Sequence, residues 1–450
     1  MAHRAPSPRE SEASSAPSAP RPARGRGRAA VTAVALYVCL TAVFFALAPR
    51  DRLASHSPYN HYALQADAWL HGRLDLGGPP PAYTGHNDFA SYGGKWFVSF
   101  GPVPAALLVP FAAAAGSAER VRDAQVFVAL AAVGPALLYL VLDELRRRGR
   151  SGRSDATNLA LAALFALGTV YWFTAEQGTV WFAGHVVAVA CLALYALASI
   201  GGAHPIVAGV ALGLAVGTRP NLLFAAPFFL WELGRAAGLG RDGRRAELGP
   251  AAAWRGLAAF LVPLGGVLAV LAWHNAARFG DPFEFGHRYL DIAWRPRIDK
   301  WGLFSLHYLG RNLGVVLSGL PFWTPGHGPS VNAHGLALWL TSPFYVYALW
   351  PRRTNDAFRA AAIAAACVAV PNLLYQNTGW IQFGYRFSND FAPFLMILVA
   401  TGGRRLGLRF WLLGAVAVAV NAFGAVTFDR REHAHFYFVD GTQRVLHQPD

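Results

Sequence analysis

The chain has 450 residues, of which 54% are hydrophobic and only 14% charged, with a mean hydropathy of +0.31; this is too apolar for a soluble domain of such length. The net charge of +14 would suit a nucleic-acid binder, but the arginines fall in short clusters between apolar blocks, a pattern of membrane topology, so no nucleic-acid partner is expected. Cys39, Cys191 and Cys367 lie inside apolar blocks with no Cys-x-x-Cys spacing, which indicates neither a disulfide framework nor a zinc site.

In chain order, residues 1–28 are rich in Pro, Ser, Ala and Arg without apolar periodicity and read as a disordered basic tail on the cytoplasmic side. Residues 29–48 read as a retained anchor, because tail and apolar run are both long for a cleaved signal. Further apolar blocks fall at 97–116, 124–144, 156–175, 179–200, 205–217, 221–234, 256–274, 335–350, 357–374, 390–402 and 408–427, each near the length that crosses hydrocarbon or somewhat short of it. The blocks near 210 and 227 are separated by Thr218-Arg219-Pro220-Asn221. Proline steers its predecessor out of the helical region, so a helix break at Arg219 is expected.

Arginine clusters at 146–153, 235–255, 352–359 and 404–409 can all be cytoplasmic if every block from 156 onward crosses once. A chain that starts inside and is inside again at Arg146 has crossed an even number of times, so one of the first three blocks does not span. Block 97–116, carrying Pro102, Pro104 and Pro110, is assigned as re-entrant or interfacial, covering a cavity beneath the first external loop. The predicted architecture is an all-α polytopic integral membrane protein of the plasma membrane with about 11 transmembrane helices. Its membrane domain covers 29–427, with external loops 49–96 and 274–334 and an external C-terminal tail at 428–450.

The first external loop is the more informative. Residues 59–71 place Tyr62, Ala66, Trp69 and Leu70 on one helical face and Asn60, Asp67 and His71 on another, an amphipathic helix expected to lie on the outer surface with its apolar face down. Gly77-Gly78-Pro79-Pro80-Pro81 interrupts regular structure, and His86-Asn87-Asp88 follows. Asp67 and Asp88 in one loop can act as a general base and a partner that orients it or binds a metal, which leaves a divalent cation open as a cofactor. The plainer reading is loop solvation or helix capping, and spacing alone favours it.

The stretch from His61-Tyr62 through Ala66-Asp67-Ala68-Trp69, then Asn87-Asp88-Phe89-Ala90 and Gly94-Lys95-Trp96-Phe97, resembles the start of bacterial membrane glycosyltransferases of the GT-C superfamily, near the protein mannosyltransferase and aminoarabinose transferase group. Glu176-Gln177-Gly178-Thr179-Val180-Trp181, Gly217-Thr218-Arg219-Pro220, Arg278-Phe279-Gly280-Asp281-Pro282 and Gly384-Tyr385-Arg386-Phe387 with Asp390 agree with it. The resemblance implies a transferase that takes a sugar from a polyprenyl-phosphate donor to a glycan, lipid or protein acceptor, with a catalytic aspartate in the first external loop. Asp88 and Asp67 are the positions carried over. Ser57-Pro58-Tyr59-Asn60 stands where many relatives have an acidic pair, so the identity of the base stays open between the two.

A lipid phosphate needs cationic groups at the outer membrane face to hold it as a leaving group. Arg386 and Arg219 are the candidates, and ordinary snorkelling is the plain alternative for both. His61, Glu176 and His287 are weaker substrate-binding candidates, and His185 reads as a helix-packing hydrogen bond. A transporter or flippase of lipid-linked glycans is the competing function, expected to show mid-membrane polar residues and internal repeats.

Overall fold

The computed structural model describes residues 24–240, 246–292, 294–326 and 328–437. The predicted N-terminal tail therefore lies mostly outside the described residues, but its last part does not stay irregular: the first helix, Arg24–Leu47, starts inside it. No proline intervenes between Arg24 and the apolar run, and the helix propagates back into the basic residues across Gly25 and Gly27.

Seven helices among the described residues are long and apolar enough to cross a membrane: Gly25–Leu47, Asp123–Arg147, Val180–Gly202, Pro220–Leu239, Pro250–Phe279, Asp356–Leu374 and Leu408–Thr427. Four shorter apolar helices accompany them, at Val103–Ala115, Asp155–Leu167, Pro205–Val216 and Ala392–Thr401. At 1.5 Å per residue, the 13 residues of Val103–Ala115 reach about 20 Å, well short of the roughly 30 Å of a hydrocarbon core.

Blocks 335–350 and 156–175 are not single helices. Block 335–350 breaks into short turns, Leu338–Thr341, Pro343–Tyr345 and Val346–Leu349, because Pro343 interrupts the ladder and Ser342 takes a non-helical conformation. Block 156–175 ends its main helix at Leu167, with a short second piece at Tyr171–Ala175.

The break at Arg219 appears as the sequence implies. Pro205–Val216 stops, Arg219 is extended at φ −144° and ψ 107°, and a tight 3-10 turn runs from Pro220 to Ala225. The helix His61–Leu70 forms in the first loop, but its apolar face packs on protein: Tyr62, Ala63 and Ala66 share a cluster with Ala105 and Leu108 of the Val103–Ala115 helix. The short helix lies beneath it and takes the place of lipid. The residues from 428 onward, expected as a tail, fold back as far as they are described, since Tyr437 is buried and bridges to Val331.

A candidate active site beneath the first loop

Asp88 enters the site from the base of a hairpin. Phe89–Tyr92 pairs antiparallel with Lys95–Val98, and the turn Gly93-Gly94 has φ +58° and +72°, left-handed values that glycine adopts without penalty. Asp88 itself sits at φ +60°, a conformation that costs a non-glycine residue of order 1 kcal/mol and is kept only where the surroundings impose it. His61 helps impose it. Its ring stacks on Phe89 at 4.1 Å, and its Nε2 donates to the Asn87 carbonyl at 2.8 Å. Burial holds the His61 imidazole down at about 4, so it is neutral at ordinary pH. This histidine positions the segment that carries Asp88.

The Asp88 Oδ2 accepts a hydrogen bond from the Trp181 indole at 2.6 Å. Burial pushes the carboxyl up from its ordinary value, opposed by the Trp181 bond and by the positive charge of Arg386. Arg386 approaches from the other side of the fold. Its guanidinium lies over the Phe182 and Phe387 rings at 5.4 and 5.5 Å and donates to the Gly379 and Trp380 carbonyls. Burial lowers Arg386 to about 9, further helped by the like charge of Arg219; it remains cationic at neutral pH.

Arg219 is fixed by Asp390. Its Nε and Nη2 donate to the two carboxylate oxygens at 2.7 and 2.9 Å, a bidentate fork. The same carboxylate accepts from Asn221 and Asn372 at 2.8 and 3.0 Å and lies 3.1 Å from His185 Nδ1. Asp390 is fully buried. Two of the five N–H donors of Arg219 are thereby used, which leaves its remaining edge for a ligand. Gly101 explains how this region closes up. A Cβ there would meet the Gly217 and Thr218 carbonyls at 2.4 and 2.6 Å, so only glycine lets the first loop approach the Arg219 turn.

The second loop completes the wall. Leu290 bridges to Ala90, and the Arg278 guanidinium donates to the Val98 carbonyl at 2.7 Å. His287 is thereby brought beside Arg219; burial and the charges of Arg219 and Arg278 hold its imidazole down at about 4.

Asp67 is not part of this group. It is half-buried on its helix, with His71 3.8 Å away as its ion-pair partner. The helix packing decides this, since Tyr62 and Ala66 claim the inward face. Glu176 is apart as well, buried with Arg430 at 3.7 Å. Sequence reasoning missed Trp181 as the partner of Asp88 and underrated Asp390; His185 is the interhelical hydrogen bond it was taken for, with that same Asp390 as partner. Among the described residues no group of three or more His, Cys, Asp or Glu could hold a metal.

Burial pushes the Glu176 carboxyl from 4.5 up to about 9. Between those values the folded chain holds a proton that the unfolded chain has released, so stability falls as pH rises through this window. Glu176→Gln stays neutral throughout. It is expected to melt higher than the parent protein at pH 8 and to match it near pH 4.5, read by thermal unfolding in detergent; a lower melting temperature at pH 8 would show the carboxylate to be ionised in the fold.

An apolar groove of about 750 Å³ runs beside the site, with Trp69, Pro102, Val103, Leu214, Leu271 and His274 in its walls. The Val103 amide donates to the Gly217 carbonyl at 3.2 Å, so the groove wall and the Arg219 turn meet at one backbone junction.

No protein-family model and no curated protein matches the chain. Among solved structures it is similar to the oligosaccharyltransferase AglB from Archaeoglobus fulgidus in complex with an inhibitory peptide and a dolichol-phosphate, at 14% identity and a TM-score of 0.48, over 88% of this chain and 55% of that one. It is also similar to ArnT from Cupriavidus metallidurans bound to undecaprenyl phosphate, at 15% identity and a TM-score of 0.47, over 89% of this chain and 64% of that one. The apo form of the Archaeoglobus fulgidus oligosaccharyltransferase gives 13% identity and a TM-score of 0.47, over 89% of this chain and 54% of that one.

Proposed function

We propose that this chain is a GT-C-type membrane glycosyltransferase of the plasma membrane that moves a sugar from a polyprenyl-phosphate donor to an acceptor on the extracytoplasmic face, its N-terminus cytoplasmic. The observation that carries the reading is a carboxyl group, Asp88, facing the charge of Arg386 with Arg219 close by, and an apolar groove whose Val103 is hydrogen-bonded to Gly217 in the turn that leads to Arg219. A lipid-phosphate donor asks for these parts together: an apolar bed for its tail, fixed cations for its phosphate and a base for the incoming acceptor.

In this mechanism the prenyl chain lies in the groove and the phosphate meets the free edge of Arg219 and the Arg386 guanidinium. Asp88 takes the proton from an acceptor hydroxyl as its oxygen bonds to the anomeric carbon. The bond between that carbon and the phosphate oxygen breaks with both electrons going to the phosphate. The two guanidiniums are held in place before reaction, by the Asp390 carboxylate and by the 379–380 carbonyls, so they stabilise the developing charge without reorganising. The Trp181 hydrogen bond opposes the upward push that burial gives the Asp88 carboxyl.

Removing that indole N–H raises the Asp88 pKa further. A base must be ionised to act, so Trp181→Phe is expected to move the acidic limb of the kcat/KM profile to higher pH, with the rate partly recovered on the alkaline side. An unshifted profile would mean that another group titrates in the reaction.

The function itself is tested by incubating the purified protein with labelled polyprenyl-phosphate sugars and an acceptor extract. The expected result is loss of the sugar from the lipid with release of polyprenyl phosphate. A lipid that changes leaflet with its sugar–phosphate bond intact would favour a flippase instead.

A further inference from the structure

Three consecutive residues beyond the helix Leu408–Thr427 reach back to the turn that opens the helix Val180–Ser199. The Phe428 ring meets the Phe182 ring edge-on at 5.8 Å. Asp429 Oδ2 accepts a hydrogen bond from Arg52 Nη2. Arg430 lies 3.7 Å from Glu176 and donates to the Leu47 and Ala425 carbonyls. Arg52 stands in the short helix Arg50–Ala54, just past the first span, and is 6% exposed. Its Nη1 donates to the Gln177 carbonyl at 3.3 Å and also to the Gln177 side-chain oxygen. The outer ends of the first and last spans are thereby tied to each other and to residues 176–177.

The residues that follow this turn carry both halves of the site. A Cβ at Gly178, which has φ +66°, would collide with Ala124, and the Val180 amide donates to the Tyr59 carbonyl at 3.2 Å, so the turn is pressed in place. The next residue, Trp181, donates to Asp88 at 2.6 Å. The one after it, Phe182, lies against the Arg386 guanidinium at 5.4 Å. Asp429 sits at φ +56°, a left-handed conformation that a residue other than glycine keeps only where its surroundings impose it. Here the contacts of Phe428 and Arg430 on either side impose it.

We propose that Arg52 and Asp429 are positioning residues for the transfer reaction: their ion pair clasps the ends of the first and last spans onto Gln177 and so aims Trp181 at Asp88 and Phe182 at Arg386. This rests on the transferase reading. A guanidinium suits the place because its planar fork serves a carbonyl, a carboxamide oxygen and a carboxylate at once in one fixed geometry. The other groups that act on Asp88 are the charge of Arg386 and the Tyr375 phenol, and neither is hydrogen-bonded to the clasp among the described residues. A change in the clasp therefore reaches Asp88 through Trp181, and it reaches Arg386 through Phe182.

The test compares Arg52→Gln, Arg52→Lys and Asp429→Asn with the parent full-length protein, reading kcat/KM against pH and the binding of polyprenyl phosphate, with Trp181→Phe as the reference. Arg52→Gln is expected to move the acidic limb to higher pH, as Trp181→Phe does, and to weaken polyprenyl-phosphate binding by roughly threefold to tenfold, the scale of one misplaced hydrogen bond. Arg52→Lys keeps the charge beside Asp429 and a donor for Gln177, and is expected to recover part of both. Added to Trp181→Phe, Arg52→Gln is expected to move the limb no further, because the path to Asp88 is already cut. Asp429 is exposed and its left-handed backbone suits asparagine, so Asp429→Asn decides the matter where Arg52→Gln does not fold; it is expected to show the same two changes at smaller size. Parent-like profiles and affinities in the folded variants, or a limb shift that adds in full to that of Trp181→Phe, overturn the proposal. A parent protein that binds polyprenyl phosphate but never cleaves the donor overturns the transferase reading alone, and the binding loss then decides the clasp.

Discussion

Asp88→Asn is expected to lower sugar transfer by roughly 10²–10⁴-fold, the range of a lost general base, while the protein still inserts and melts close to its parent. The amide oxygen of asparagine can keep the hydrogen bond from Trp181, and the left-handed backbone at position 88 suits asparagine as well as aspartate. The substitution therefore removes the proton acceptor and little else. Asp67→Asn is the matching control. Its half-buried carboxylate pairs with the exposed His71, so transfer is expected to be unchanged. The check is initial-rate measurement of both variants beside a melting curve, and a full loss in Asp67→Asn with activity kept in Asp88→Asn would reverse the assignment.

Asp390→Ala is expected to produce the largest loss of stability. Its carboxylate is fully buried and accepts from Arg219, Asn221 and Asn372, which brings together four separate stretches of the chain once His185 is counted. Removing one partner of a buried ion pair costs about 3–5 kcal/mol, because the other charge is left without compensation. Arg219 would then lose the fork that aims it at the donor, so the variant protein that does fold should also bind polyprenyl phosphate more weakly. Thermal unfolding in detergent and lipid binding measure the two effects; a variant as stable as the parent would mean that the pair contributes only orientation.

What could be read from the sequence was what acts locally. Pro220 alone dictates an extended Arg219, and the structure has it. The apolar runs at 29–48, 124–144, 179–200, 256–274 and 408–427 declared themselves as helices of spanning length. Block 335–350 misled because an apolar run signals burial in protein as readily as in lipid. Ala337 and Phe344 there are fully buried, and Ser342-Pro343 prevents one continuous helix. Contacts distant along the chain were out of reach. Trp181 meets Asp88 across 93 residues, and Arg219 meets Asp390 across 171; neither leaves a spacing that periodicity can detect. The resemblance carried over both Asp67 and Asp88, with Asp88 the better match, and the packing of Tyr62 and Ala66 against the short Val103–Ala115 helix is what sets Asp67 apart.

Glycosyl transfer is tested most directly by the fate of the sugar–phosphate bond in proteoliposomes loaded with labelled polyprenyl-phosphate sugar and acceptor, followed by mass spectrometry of the lipid. The parent protein is expected to accumulate polyprenyl phosphate, and Asp88→Asn to leave the donor intact in membranes that contain the same amount of folded protein. Equal accumulation of polyprenyl phosphate by the two proteins would contradict the account.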